Sequence, residues 1–176
     1  MKIHEIVLAG FGGQGILFAG KLLAYAAMLQ GKEVSWLPSY GPEMRGGTAN
    51  CHVIASDKPI GSPIVVQPTA IIAMNKPSLE KFEKATISDG IIIYDSSLID
   101  TNVIRNDVKA TGIPATQMAI DLGACKLGNM IMLGKLIIET QVVSLDNIKE
   151  ALLKIIPSSK KDLIDLNIKA LELGAQ

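Results

Sequence analysis

The stretch Ile6-Val7-Leu8-Ala9-Gly10-Phe11-Gly12-Gly13-Gln14-Gly15 decides how this chain folds. Four consecutive apolar residues suit a strand buried on both faces, as parallel sheets require. Four of the next six residues are glycines, and a helical pattern begins directly behind them. Glycine lacks a Cβ, so it permits tight turns with positive φ and a close approach of the main chain to a ligand. The N-terminus of the following helix adds free N–H donors and a partial positive charge. The stretch satisfies G-x-G-x-x-G in the place where a dinucleotide fingerprint sits. Gly10, Gly12, Gly13, Gln14 and Gly15 are therefore candidate binding residues for an anionic group. The plainer alternative is that these glycines only permit a tight strand-to-helix turn.

Outward from this point, residues 3–9 predict a buried strand and residues 13–30 a helix with Ile16, Leu17, Leu23, Ala24, Ala27 and Met28 on one broad face. Gly31 supplies the helix stop, and residues 33–37 a short second strand. Together these predict one βαβ unit with a right-handed crossover. Residues 38–47 (PSYGPEMRGG) break both periodicities and form a loop. Residues 48–56 then alternate, with Ala49, Cys51, Val53 and Ala55 facing one way, which predicts a half-buried strand antiparallel to its neighbours. Residues 70–74 and 90–94 read as two more apolar strands joined by a helix over 76–84, with Pro77 in its first turn. A weaker strand is expected around 106–110. Beyond Pro114 the chain reads as helical: a buried helix over 129–140, another behind a Ser144 cap and ended by Pro157, and a last one over 160–173 that stops at Gly174. The expected fold is α/β, a three-layer, mostly parallel Rossmann-like sheet with helices on both faces and a helical C-terminal third.

The bulk properties narrow the function classes. With 176 residues, 48% of them hydrophobic, the chain is expected to form one domain over 1–176 with a substantial core. Seventeen basic residues balance seventeen acidic ones, which leaves no electrostatic footprint for nucleic acid or an anionic membrane. Cys51 and Cys125 make neither a disulfide framework nor a C-x-x-C pair, so no zinc or iron–sulfur motif is expected on this chain. No signal-peptide layout and no apolar run of membrane-spanning length are visible, and a reduced cytoplasmic protein is the expectation.

The glycine stretch lacks what a nicotinamide site needs. The second strand ends in Trp36-Leu37-Pro38-Ser39 instead of the acid that would hold a ribose hydroxyl, and Glu33 lies at the strand's beginning. Gly15 to Lys21 is a near miss to a phosphate-binding loop, but no hydroxyl follows the lysine. The loop Tyr40-Gly41-Pro42-Glu43-Met44-Arg45-Gly46-Gly47 leaves the carboxyl end of the second strand, the edge along which open α/β sheets bind ligands. Arg45 offers a planar fork for phosphate or carboxylate, Glu43 can pair with it or orient a ligand, and Gly46 and Gly47 let the backbone turn. The plainer alternative is a solvated loop with a surface ion pair worth ~0–1 kcal/mol. Asp95 reads as a turn or cap residue, Asn129 as a helix N-cap, Cys51 as a small core residue, and His52 and His4 as too isolated for a metal site. No nucleophile stands with a base and an orienting acid.

In this order and spacing, Gly10-Phe11-Gly12-Gly13-Gln14-Gly15-Ile16 and Tyr40 to Gly47 resemble the gamma subunit of 2-oxoacid:ferredoxin oxidoreductases. The likeness continues in SDKPIGSP over 56–63, in Pro114-Ala115-Thr116, in Asn129-Met130 with Leu133-Gly134, and in Leu166-Asn167 with Ala170 and Gly174. Indolepyruvate oxidoreductases are similar but usually carry His-Gly before Arg-Gly-Gly; Tyr40-Gly41-Pro42-Glu43 looks more like the 2-oxoglutarate or branched-chain 2-oxoacid enzymes. The resemblance implies a chain that is not catalytic alone. Its partners would be alpha and beta subunits, a delta subunit where present, and ferredoxin as electron acceptor. Thiamine diphosphate and [4Fe–4S] clusters would sit on those partners. This chain would help hold coenzyme A and close the active site, with Gly10, Gly12, Gly13, Gln14, Gly15, Tyr40, Glu43, Arg45, Gly46 and Gly47 as the binding residues. The implied reaction is oxidative decarboxylation of a 2-oxoacid, 2-oxoglutarate foremost, to the acyl-CoA.

Overall fold

The structure, a computed structural model, describes residues 2–39 and 48–176. In chain order the elements are β1 (Ile3–Phe11), α1 (Ile16–Leu29), β2 (Glu33–Ser39), β3 (Thr48–Ser56), β4 (Ala70–Ala73), α2 (Lys76–Glu83), β5 (Ile91–Asp95), β6 (Lys109–Ile113), α3 (Ala115–Asp121), α4 (Gly128–Thr140), α5 (Leu145–Ile155) and α6 (Lys161–Gly174). The six strands form one mixed sheet in the order β2-β3-β1-β4-β5-β6. β4, β5 and β6 continue β1 in parallel, while β3 runs antiparallel to both β1 and β2.

This topology corrects the simple βαβ unit. β1 and β2 point the same way, but β3 lies between them and pairs with each along its length. The reason is burial on both faces. Cys51, Val53 and Ala55 join the core on one side of the sheet, and Ile54 joins Val7 and Ala9 on the other. A strand that is apolar on two faces gains more at an interior position than at an edge. β3 is thus central, not half-buried as its alternation suggests. Its antiparallel direction agrees with expectation.

The two faces are covered unequally. Ile6, Leu8, Ala70, Ile72 and Ile93 point toward α1, α3, α4, α5 and α6. Val7, Ile71, Ala73 and Ile92 point the other way, where Leu79 of α2 and Val65 and Ile99 from irregular segments cover them. Helices stand on both faces, but the larger core belongs to the α4 side. That helix has ten buried residues in thirteen, as its nearly all-apolar sequence requires.

Several boundaries moved, among them the ends of β1 and β2, which run to Phe11 and Ser39 past the expected 9 and 37. α1 begins at Ile16 rather than 13, because Gly15 stands before it in the left-handed conformation (φ 73°). The last strand lies at Lys109–Ile113, not 106–110; it is an edge strand that buries little, so periodicity marks it weakly. Ser144 caps α5 as read from sequence, accepting the Asn147 N–H at 3.1 Å. Among the described residues no helix is long and apolar enough to cross a membrane.

Candidate ligand site at the carboxyl edge of the sheet

β1 delivers the glycine turn to the edge where β4 and β5 also end. Gly10 is the buried penultimate residue of β1; Phe11, Gly12 and Gly13 are exposed, and Gln14 and Gly15 are half-buried. The Gln14 N–H donates to the Phe11 carbonyl at 3.2 Å and closes the turn. Gly13 (φ 94°) and Gly15 (φ 73°) take the positive-φ conformation that glycine alone adopts cheaply. Among the described residues, no acceptor takes the N–H of Gly13 or Gly15. They stand at and just ahead of the N-cap of α1, where the helix carries partial positive charge, which suits an anion.

Gln14 has a different job from the one its polarity suggests. Its Oε1 accepts the Phe11 N–H at 2.6 Å, and its Nε2 donates to the Met74 carbonyl at 3.1 Å. Both ends of the amide are therefore spent on the backbone, tying the end of β1 to the end of β4. A Cβ on Gly10 would stand 2.5 Å from that Oε1, so the glycine makes room for the strut. Gln14 thus shapes the loop.

Asn129 is a residue that sequence reading misplaced. It is the second residue of α4, not its cap; the N-cap position is Leu127, with no side-chain cap. Asn129 is only 4% exposed and its Nδ2 donates to the Gly15 carbonyl at 3.0 Å, joining the starts of α1 and α4. A Cβ on Gly15 would lie 2.5 Å from that nitrogen. The available signal was a lone amide in an otherwise apolar helix sequence, MIMLGKLII behind Gly128-Asn129. Between the glycine turn and the start of α4 lies a cavity of 300 Å³, bordered by Gly13, Gln14, Met74, Leu98, Lys126 and Asn129.

The second sequence motif, with Tyr40, Glu43, Arg45, Gly46 and Gly47, lies outside the described residues. Its two flanks do not. Ser39 pairs with Asn50 at the end of β2, and Thr48 pairs with Phe11 at the end of β1. The strand register thus starts and finishes that segment beside the glycine turn.

The remaining candidates take structural places. Asp95 is fully buried at the end of β5. Its Oδ1 accepts the Ser97 N–H, and its Oδ2 accepts the Thr116 N–H at 3.1 Å and the Thr116 hydroxyl at 2.5 Å, so it caps α3 and closes a turn. Cys51 is fully buried, and burial pushes its thiol up to about 12 against a smaller effect of the Trp36 indole. His52 Nδ1 accepts the Val65 N–H at 3.0 Å, and burial with nearby Lys81 lowers its pKa. His4 is buried on β1, and desolvation with Lys2 and Lys32 lowers it to about 4. Among the described residues no group of three or more His, Cys, Asp or Glu could hold a metal ion.

Known proteins are similar to this chain in sequence and fold. A family model described as pyruvate ferredoxin/flavodoxin oxidoreductase matches residues 5–176. The ketoisovalerate oxidoreductase subunit VorA of Methanothermobacter thermautotrophicus is 40% identical over 174 residues, which cover 98% of this chain and 36% of VorA. The chain therefore spans about a third of that relative's length. The 2-oxoglutarate synthase subunit KorC of Methanocaldococcus jannaschii is 35% identical over 161 residues, 90% of this chain and 86% of KorC. Among solved structures, the gamma subunit of a keto/oxoacid ferredoxin oxidoreductase from Geobacter sulfurreducens superposes with a TM-score of 0.86 at 30% identity, covering 99% of this chain and 95% of that one. The 2-oxoglutarate:ferredoxin oxidoreductase of Magnetococcus marinus, solved with 2-oxoglutarate, coenzyme A and succinyl-CoA, gives 0.90 at 25% identity over 99% of this chain and 31% of that chain.

Proposed function

The chain belongs to the pyruvate ferredoxin/flavodoxin oxidoreductase family, and from that premise we propose that it is the gamma-type subunit of a 2-oxoacid:ferredoxin oxidoreductase whose share of the work is to hold coenzyme A. The observation that carries this reading is the strand register. It brings the N–H groups of Gly13 and Gly15, which have no acceptor among the described residues, and both flanks of the Arg45 segment to one sheet edge. Coenzyme A bears phosphates suited to such donors and to a guanidinium fork. The bound coenzyme of the Magnetococcus relative points to the same ligand class. Thiamine diphosphate, held by alpha and beta partners, would supply the carbanion chemistry, and [4Fe–4S] clusters on partners would pass electrons to ferredoxin. This chain's own residues bind and orient: Gln14 and Asn129 hold the turn, the backbone donors take the phosphate, and Arg45, Tyr40 and Glu43 complete the grip.

Arg45→Ala in the assembled complex is expected to raise the KM for coenzyme A about tenfold or more, as loss of a charge-assisted bond of about 1.5–3 kcal/mol requires. Unchanged kinetics would remove the ligand role and leave a purely structural subunit. The substrate of the whole complex is proposed to be 2-oxoglutarate, in line with KorC, which this chain matches nearly end to end. A branched-chain 2-oxoacid is the second reading, favoured by the higher identity to VorA. Assay of the complex with each 2-oxoacid in turn separates them.

A further inference from the structure

We propose that the groove over β2 and β3, on the α2 side of the sheet, seats an amphipathic helix of a partner subunit, oriented by a carboxylate on that helix. This rests on the gamma-subunit reading above and assigns the face of the domain that the partner covers.

Topology leaves this strip of sheet without a helix of its own. Only eight residues, 40–47, join β2 to β3, too few to carry a helix across the sheet. Among the described residues α2 is the one helix on this side, and it lies over β1 and β4. Val34 and Trp36 of β2 pack toward α1, so strand alternation turns Leu37 to the opposite face, where it borders a groove of 440 Å³ floored by Asn50 and His52 of β3. Two strands about 4.8 Å apart make a strip about as wide as one helix. The apolar wall stands in solvent: Leu37 is 38% exposed, Ile64 57% and Val66 74%. Val65 between the last two is buried, and its N–H donates to His52 Nδ1 at 3.0 Å, which fixes the extended segment with Ile64 and Val66 turned outward. An apolar patch of this kind marks an interaction surface.

Charge selects the occupant. With Nδ1 accepting the Val65 N–H, the neutral His52 ring keeps its proton on Nε2, which makes that atom a donor. The Lys81 ammonium borders the same groove, 5.2 Å from the Phe82 ring centroid, and stands close enough to His52 to add to burial in lowering its pKa. No carboxylate is found among the described lining residues. Apolar walls with a cation, a neutral donor and no anion complement an apolar helix face that carries one Asp or Glu, which sets register and orientation more than strength. A large neighbouring body of protein is also what the longer relatives carry: the matched part is 36% of VorA and 31% of the Magnetococcus chain.

The test uses the chain assembled with its alpha and beta subunits. A water-soluble carbodiimide joins a lysine ammonium to a carboxylate in contact with it as an amide, with loss of water, and mass spectrometry of the digest reads the linked peptides. Lys81 is expected to link to an Asp or Glu of a partner subunit that has apolar residues three and four positions away. Ile64→Asp, at an exposed position that spares this chain's own core, is expected to raise the Kd for the alpha–beta pair at least about tenfold. Ile104→Asp, at a residue 91% exposed and outside the groove, is expected to leave that Kd unchanged. An unchanged melting temperature of each isolated variant shows that its fold is intact. Links from Lys81 only within this chain, to a second copy of it or to a wholly polar segment overturn the assignment. A wild-type Kd for Ile64→Asp, or equal weakening by Ile104→Asp, overturns it as well and leaves the gamma-subunit reading standing. A wild-type chain that does not associate with the alpha and beta subunits overturns both readings together.

Discussion

Replacing Gly134 with alanine tests how α4 and α6 are held. A Cβ at Gly134 would lie 2.1 Å from the Leu171 carbonyl oxygen, and a Cβ at Gly174 would lie 1.9 Å from that of Ile131. The two contacts are reciprocal: residues 131 and 134 of α4 meet residues 171 and 174 of α6, each pair one helical turn apart. The obstacle is backbone, so no side-chain rotation relieves it. Reaching ordinary contact distance needs the helices to part by about 1.3 Å, which strips both of close-range dispersion contacts. Overpacking of this kind costs about 1–3 kcal/mol, against a gain of about 1 kcal/mol from replacing a helical glycine by alanine. With the Cβ only 2.1 Å from a backbone oxygen the upper end of that cost applies, so Gly134→Ala should destabilise by about 2 kcal/mol net, or lower Tm by about 4–8 °C for a chain of this size. Urea unfolding of the wild type, each single variant and the double variant reads the coupling. Once the helices have parted for one Cβ, the second finds space already open, so the double variant should be destabilised by clearly less than the two penalties added. A Gly134→Ala protein as stable as the wild type, or two penalties that simply add, refutes the reasoning.

Gln14→Ala removes the amide that joins β1 to β4 and leaves the Phe11 N–H and Met74 carbonyl without it; a loss of about 1–2 kcal/mol is expected from denaturation, with coenzyme KM rising as the turn loosens. Gly15→Ala puts a Cβ at φ 73° and 2.5 Å from the Asn129 nitrogen, and should cost at least about 1 kcal/mol from the backbone conformation alone. His4 is buried and neutral, its folded pKa of about 4 lying below the ordinary 6.5. The unfolded chain therefore takes up the proton first, so stability is full above about pH 7.5 and falls by about 2 kcal/mol on acidification to about pH 5. His52, shifted in the same direction, adds to this. The His4→Gln variant should show a visibly flatter stability–pH curve by urea titration, and an unchanged curve would show that His4 does not contribute.

How much of this was legible in the residues alone depends on the range of the interaction. The run Ile6 to Ala9, the glycine turn, Pro77 in the first turn of α2 and the Ser144 cap are settled by neighbours within a few positions, so periodicity and capping chemistry disclose them. Asp95 was readable as a turn residue for the same reason, since its Oδ1 takes the Ser97 N–H two positions on, whereas the capped Thr116 lies 21 residues away. β6 was displaced because an exposed edge strand has little apolar alternation to read.

Composition and local pattern were enough to determine an α/β chain with a glycine turn on a strand end, and the order of motifs was enough to place it in its family. Tertiary structure alone decided that β3 inserts between β1 and β2, since a strand's neighbours depend on which faces the rest of the chain can cover. It decided that Gln14 is a strut between the ends of β1 and β4, because the Met74 carbonyl that takes its amide lies 60 positions along. And it decided that Asn129 is a bridge to Gly15 rather than a cap, through a contact spanning 114 residues. Hydrogen bonds of that separation leave no periodic trace, because the partners are brought together only when the sheet and α4 pack.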